Sequence, residues 1–222
     1  KISFFNEDIA ALLETKQLSS SDLEPGVYEG GFKLWECSID LCNFLYESSQ
    51  PDSPFPLELQ GKVVAELGCG HGLPGIVSLK LGASQVFFQD YNKSVLEQLT
   101  VPNVHLNQAS DKEKVSFFSG DWSDPQLSQS LCKHSQKIDL ILTSETIYSS
   151  TSVRPLLSLI DSVLSAQGIV VVAAKRYYFG VGGSVKEFLD IVKEQNVLEL
   201  VHRTSFEDGK SNIRDILCLR RR

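Results

Sequence analysis

The sequence predicts an α/β fold built on a doubly wound, mainly parallel sheet, and three observations carry that expectation. Short apolar, strand-like runs alternate with helical periods from residue 62 onward. The first run ends in a glycine-rich turn, Glu66-Leu67-Gly68-Cys69-Gly70-His71-Gly72, just ahead of a helix-starting Pro74. The last two runs, 198–206 and 212–219, flank Asp208-Gly209, a hairpin signal that closes the sheet on an antiparallel pair.

The elements follow in order. Residues 1–50 hold a helical segment (Ile9, Leu12, Leu13), a glycine-rich turn at 25–31 and a second helix over 34–45 with apolar residues at helical spacing. Pro51, Pro54 and Pro56 make a loop. Strand 62–67 leads into a helix starting near Pro74, and strand 85–89 into a helix around 93–100. Strand 115–119 ends at Gly120-Asp121-Trp122, and strand 138–143 at Ser144-Glu145. Helix 152–165, strand 168–174 and helix 184–195 precede the closing hairpin. The result is a Rossmann-like, seven-stranded sheet over 51–222, expected to form one compact unit with the N-terminal segment 1–50. The charged stretch 108–114 reads as an exposed loop.

Composition narrows the setting. At 222 residues the chain supports one full core, and 42% hydrophobic with 22% charged residues is ordinary for a soluble domain. No run approaches membrane-spanning length and none resembles a signal peptide. Cys37, Cys42, Cys69, Cys132 and Cys218 form no CxxC pair, so we expect reduced thiols and neither a disulfide framework nor a metal site. His105, His134 and His202 show no metal spacing and are expected at the surface. A net charge of −7 disfavours a general nucleic-acid surface and suits either a cationic protein substrate or simple solubility. A monomer is the expected state. The chain starts at Lys1 and contains no Met, so an upstream segment is expected.

The glycine turn alone indicates an adenosine-type cofactor. Its glycines alternate, and Glu66 stands at the strand end. A dinucleotide site needs donors for a pyrophosphate at the helix N-terminus. S-adenosylmethionine (SAM) carries no phosphate, and Glu66 fits its methionine ammonium, with Gly68, Gly70 and Gly72 admitting the ligand to bare backbone. Asp90, twenty residues after Gly70, fits the ribose hydroxyls. Asp121 fits the adenine amino group, and Trp122 is available to stack or pack on the base. One such acid is most simply a cap or a solvated group. Three at successive strand ends point to SAM over NAD(P).

Three further runs carry a family resemblance: Gly26-Val27-Tyr28-Glu29-Gly30-Gly31-Phe32-Lys33-Leu34-Trp35-Glu36-Cys37, Leu142-Thr143-Ser144-Glu145-Thr146-Ile147-Tyr148, and Tyr178-Phe179-Gly180-Val181-Gly182-Gly183. Together they resemble the protein-histidine methyltransferases among the seven-β-strand (class I) SAM-dependent enzymes, over nearly the whole chain from about residue 22. Related lysine methyltransferases usually carry an Asp-x-x-Tyr variant of the second run. The resemblance implies methylation of a histidine Nτ on a large-subunit ribosomal protein, in cytosol and nucleus, with S-adenosylhomocysteine as co-product. One departure is His71, where many relatives carry a small residue.

The chemistry such an enzyme needs is modest. A neutral imidazole already offers a lone pair at pH 7, whereas deprotonating a lysine costs roughly 4–5 kcal/mol. The site must align that lone pair, fix the tautomer and stabilise the imidazolium formed. Glu145 is the candidate acceptor, with Tyr148 one turn on to hold the substrate; the alternative is that Glu145 caps and Tyr148 fills a gap. Trp35 is a candidate for covering the cofactor or meeting the sulfonium by cation–π contact, or else a core Trp. Ser144 is assigned to the cofactor wall, and Lys33, Glu36, Tyr178, Phe179 and Gly182 to substrate binding. Cys69 reads as a turn residue, not a nucleophile. Two other readings stay open: a protein-lysine methyltransferase, and a SAM-binding scaffold for a ribosomal or chaperone partner.

Overall fold

The structure, a computed structural model, describes residues 26–107, 113–134, 137–207, 209 and 212–222. Helix α1 (Glu36–Ser48) precedes β1 (Val63–Leu67), α2 (Leu73–Lys80) and β2 (Gln85–Asp90). Helix α3 (Lys93–Val95) runs through a π-helical stretch, Leu96–Thr100, into α4 (Val101–Leu106). Then follow β3 (Val115–Ser119), α5 (Pro125–His134), β4 (Ile138–Ser144), α6 (Ser150–Val163), β5 (Leu164–Lys175), α7 (Val185–Gln195), β6 (Leu198–Phe206) and β7 (Arg214–Arg221).

The sheet order is β3-β2-β1-β4-β5-β7-β6, parallel except where β7 pairs antiparallel with both β5 and β6. That is the doubly wound sheet with a closing antiparallel pair that the sequence predicts. The order reverses between β1 and β4, and ligands of open α/β sheets bind outside the carboxyl ends at such a switch. Central strands are apolar on both sides because helices cover both faces. Ala65, Phe87, Ile141, Val170 and Val172 pack beneath α5, α6 and α7, while Val64, Phe88, Leu142 and Val171 pack beneath α1 and α2.

The helices show their sequence causes. Ser184 caps α7 by accepting the Glu187 N–H at 3.1 Å, and Asn196 ends it in a left-handed conformation. Such a serine cap is worth about 1 kcal/mol.

Four details differ from the sequence reading. Helix α5 appears where none was predicted; its apolar side is only Leu127 and Leu131 within a polar run. Strand β5 begins at Leu164, inside the predicted helix, because Leu164 pairs with Ile138 across a register shift before the regular ladder. The helix predicted over 93–100 continues to Leu106, since a π turn lets the chain pass Pro102, which has no N–H to give. His202, expected at the surface, is half-buried and stacks on Phe55 with centroids 4.6 Å apart. The segment around Ile9 to Leu13, Asp208 and the side chain of His134 lie outside what the structure describes.

Candidate functional site

The carboxyl ends of β1, β2 and β4 open into a cavity of ≈ 480 Å³, walled on the other side by residues 26–35. That size suits a small-molecule ligand. The glycine turn forms its floor. Gly68 and Gly70 have φ of 64° and 49°, and a Cβ on Gly68 would lie 2.6 Å from the Thr146 methyl. A Cβ on Gly70 would press on the Gly31 carbonyl at 3.2 Å. Here glycine is required both by conformation and by close approach.

The turn is held from below. Thr100, at the end of the π-helical stretch, donates to the Gly70 carbonyl at 2.6 Å, and Asn103 Nδ2 donates to that of His71 at 3.0 Å. Asp90, almost fully buried at the end of β2, accepts the Gly70 N–H at 2.9 Å and the Asn92 N–H at 3.0 Å. Burial raises its pKa, the N–H donors oppose that, and Glu29 adds to it. Gln89 Oε1 receives the Trp122 indole N–H at 2.8 Å, and its Nε2 donates to the Gly120 carbonyl at 2.9 Å. That fixes Trp122 against the cavity. Asp121 lines the cavity too, with Oδ1 accepting from both the N–H and hydroxyl of Ser123.

Glu66 and Gly72 stand apart from the cavity. The pleat turns Glu66 toward α2, where Oε2 accepts the Gly75 N–H at 2.7 Å. Gly72, the N-cap of α2, has no side chain for that task, so Glu66 caps the helix from the neighbouring strand. A Cβ on Gly72 would meet Thr100 and Phe88, so its glycine serves packing. Burial pushes the Glu66 carboxyl up to about 8, with the Gly75 N–H opposing and Asp90 adding. The folded pKa thus lies above the ordinary 4.5. Between these values the folded chain keeps a proton that the unfolded chain has released, so stability falls as pH rises from about 4.5 to about 8. Glu66→Gln keeps an acceptor for Gly75 and removes the titration. Its stability relative to the parent is expected to rise by several kcal/mol between about pH 5 and about pH 9 in urea unfolding; a pH-independent difference would contradict this origin.

Residues 26–35 form a strap over the turn. Tyr91 donates to the Gly26 carbonyl at 2.9 Å, and Asn92 donates to that of Val27 at 2.8 Å. The Tyr148 hydroxyl donates to the Glu29 carboxylate. Burial and Glu29 both raise the Tyr148 pKa, so it stays a phenol. Trp35 donates to the Gly30 carbonyl at 3.0 Å, and its ring carries Lys33 Nζ at 4.4 Å and Lys175 Nζ at 5.0 Å. Trp35 and Lys33 line the cavity. His71 lines it as well, bonded through Nε2 to the Phe32 carbonyl oxygen at 3.2 Å; burial lowers its pKa, with that bond opposing.

Beyond β4, Ser144 and Glu145 reach the cavity wall. Glu145 has φ of 58°, strained for a residue with a side chain, and its N–H is anchored on the Ala173 carbonyl at 2.9 Å. Its carboxylate is buried, and among the described residues neither oxygen meets a donor in full hydrogen-bond geometry, though Cys37 and Tyr178 face it. Lys175, at the end of β5, faces it at 3.5 Å and reaches Glu36 at 3.1 Å. Glu36, exposed on the first turn of α1, lies outside the lining. So does half-buried Tyr178, whose hydroxyl accepts the Lys175 N–H at 3.2 Å. Phe179 is 87% exposed on the following turn, and Gly182 donates its N–H to the Tyr178 carbonyl at 3.2 Å. Gly183 donates to the Tyr148 carbonyl at 2.9 Å, and a Cβ there would overlap that carbonyl.

Sequence reasoning missed Glu29, Gln89, Thr100 and Lys175. Lys175 sits at a strand end, the same signal that picked out Asp90 and Glu145. Thr100 depends on a π turn that leaves no sequence trace. Among the described residues the lining carries Glu29, Asp90, Asp121 and Glu145 against Lys33 alone of the Lys and Arg residues. Such a wall disfavours a pyrophosphate and favours a ligand with positive charge and hydroxyl donors.

Residues 18–195 match the family described as lysine methyltransferase. The chain is 46% identical over 202 residues to a histidine protein methyltransferase 1 homolog of Dictyostelium discoideum, covering 91% of this chain and 61% of the relative. A Bos taurus homolog of the same name is 41% identical over 204 residues, covering 82% and 53%. The chain thus spans roughly half to three-fifths of these curated relatives. Among solved structures, magnesium protoporphyrin IX methyltransferase from Synechocystis with bound SAH gives a TM-score of 0.60 at 12% identity, covering 82% of this chain and 81% of that one. Ribosomal protein L11 methylase from Lactobacillus delbrueckii gives 0.56 at 19%, covering 86% and 81%. Both likenesses concern the fold.

Proposed function

Because the chain belongs to the lysine methyltransferase family, we propose that it transfers a methyl group from SAM to a histidine Nτ of a protein, with a large-subunit ribosomal protein as substrate. The carrying observation is Glu145: a buried carboxylate on the cavity wall whose oxygens meet no donor in full hydrogen-bond geometry among the described residues. The names of the Dictyostelium and Bos taurus relatives support histidine as the acceptor. Cytosol and nucleus, where ribosomal proteins are made and assembled, are the proposed locations.

The acid-lined cavity and its glycine floor fit SAM. Bound there, the cofactor would supply an electrophilic methyl on a sulfonium. Asp90 would accept the ribose hydroxyls, Asp121 and Trp122 would meet the adenine, and Gly68, Gly70 and Ser144 would leave room along the backbone. Glu66, behind α2, would serve this site by fixing the start of that helix. Glu145 would accept the N–H of the acceptor imidazole, leaving the other nitrogen bare and stabilising the imidazolium as its charge develops. Tyr148, held by Glu29, would border the acceptor, and Phe179 with Gly182 would meet the substrate outside.

The family's description favours a second reading, a lysine acceptor beside the acidic-x-x-Tyr pair Glu145 and Tyr148. Labelled SAM with ribosomes from methyltransferase-deficient cells separates the two. Labelled Nτ-methylhistidine is expected. Methyl-lysine without methylhistidine would establish the second reading, and SAM binding with no transfer would leave a scaffold role.

A further inference from the structure

We infer that Lys175 makes the acceptor site selective for an uncharged side chain, its ammonium keeping cations away from the Glu145 carboxylate. This rests on the reading of Glu145 as the group that meets the acceptor. An orphaned buried carboxylate at a cavity wall would by itself attract any ammonium, lysine included. Here that charge is already balanced. Lys175 Nζ lies 3.5 Å from Glu145, 3.1 Å from Glu36 and 5.0 Å from the Trp35 ring centre, with its side chain mostly buried. Lys33 adds a second ammonium at 4.4 Å from the same ring. An ammonium approaching Glu145 would meet the mostly buried Lys175 charge at short range, whereas a neutral imidazole offers Glu145 an N–H without that local repulsion.

The surrounding groups keep this arrangement through neutral pH. Burial works against the Lys175 charge, but Glu145 and Glu36 outweigh it and raise its pKa. The Lys175 bond lowers that of Glu36. Cys37 on α1 and Tyr178 on the loop after β5 both face Glu145, and burial pushes each far above its ordinary range, so both stay neutral. Arg214 and Asp40 nearby are paired with each other at 2.5 Å. The acceptor imidazole, with an ordinary pKa near 6.5, changes charge within the range that the test spans.

The test uses the whole chain saturated with S-adenosylhomocysteine and calorimetry with a short peptide spanning the histidine labelled in the ribosome assay, or Nα-acetyl-histidine amide if none is labelled. The same probe with Lys at that position is the comparison. The parent protein is expected to prefer the His probe by about tenfold or more, and to lose affinity as pH falls from about 8 to about 5.5. Lys175→Met is expected to shrink the His-over-Lys ratio about tenfold and to abolish or reverse the pH trend, and Lys175→Arg to restore both. Lys175→Gln replaces the Met variant should that fail to fold, and the parent's pH arm needs no variant. Equal binding of both probes by the parent, no loss of affinity at low pH, or an unchanged ratio in the variant would overturn the inference. Absence of imidazole methylation in the ribosome assay would instead overturn the functional reading.

Discussion

Glu145→Ala is expected to lower kcat for methyl transfer by about 10²–10³-fold while leaving the Kd for SAM within about threefold. The reasons are local. The Glu145 backbone is held by its N–H on Ala173, a bond that Ala keeps, and the left-handed φ of 58° is no easier or harder for Ala than for Glu. What disappears is the carboxylate, which sits on the cavity wall and whose one ion pair among the described residues is with Lys175 at 3.5 Å. Removing the carboxylate takes one of two acidic partners from the mostly buried Lys175, which keeps Glu36, so Glu145→Ala is expected to unfold at a urea concentration equal to or somewhat below the parent's. Lower turnover in a folded variant that still binds SAM is the signature of a site group; parallel loss of SAM affinity and turnover would move Glu145 to the cofactor wall.

The sheet was legible because its causes are local and repeated. Each central strand is a continuous apolar run, and the Gly68–Gly72 turn, Asp90 and Glu145 all fall at strand ends. Chain position along a strand is a reliable guide to which end of the sheet a residue reaches. It says less about which way a side chain turns. Glu66 lies one residue from the strand end, but the pleat sends it under α2, where it caps a helix whose own N-cap is glycine. Gly72, at the start of α2, and Glu36, exposed on the first turn of α1, are close in sequence to lining residues but lie outside the lining. Conversely, Lys175 and Glu29 acquire their meaning from partners 30 and 119 residues away, Glu145 and Tyr148 respectively. Long-range pairing of that kind is written in the packing and not in the spacing. Helix α5 escaped because two leucines in ten residues make too narrow an apolar stripe to stand out.

Asp90→Ala is expected to weaken SAM binding by about 10–100-fold, from the loss of charge-assisted hydrogen bonds worth about 1.5–3 kcal/mol. Two effects contribute and can be separated. Asp90 already accepts the Gly70 and Asn92 N–H groups, so it shapes the glycine turn before any ligand arrives. It also lines the cavity, with oxygens able to receive further donors. Asp90→Asn keeps one carbonyl oxygen for Gly70 but loses the charge and the acceptor for the Asn92 N–H, so it separates the Gly70 bond from the rest. If the turn alone mattered, Asn would restore most of the affinity. If ribose hydroxyls bind the carboxylate, Asn should remain at least about fivefold weaker than the parent. With kcat at saturating SAM near the parent value, the defect belongs to cofactor capture. Unchanged calorimetric affinity in Asp90→Ala would remove this residue from the ribose altogether, leaving it as the clamp of the Gly70 turn.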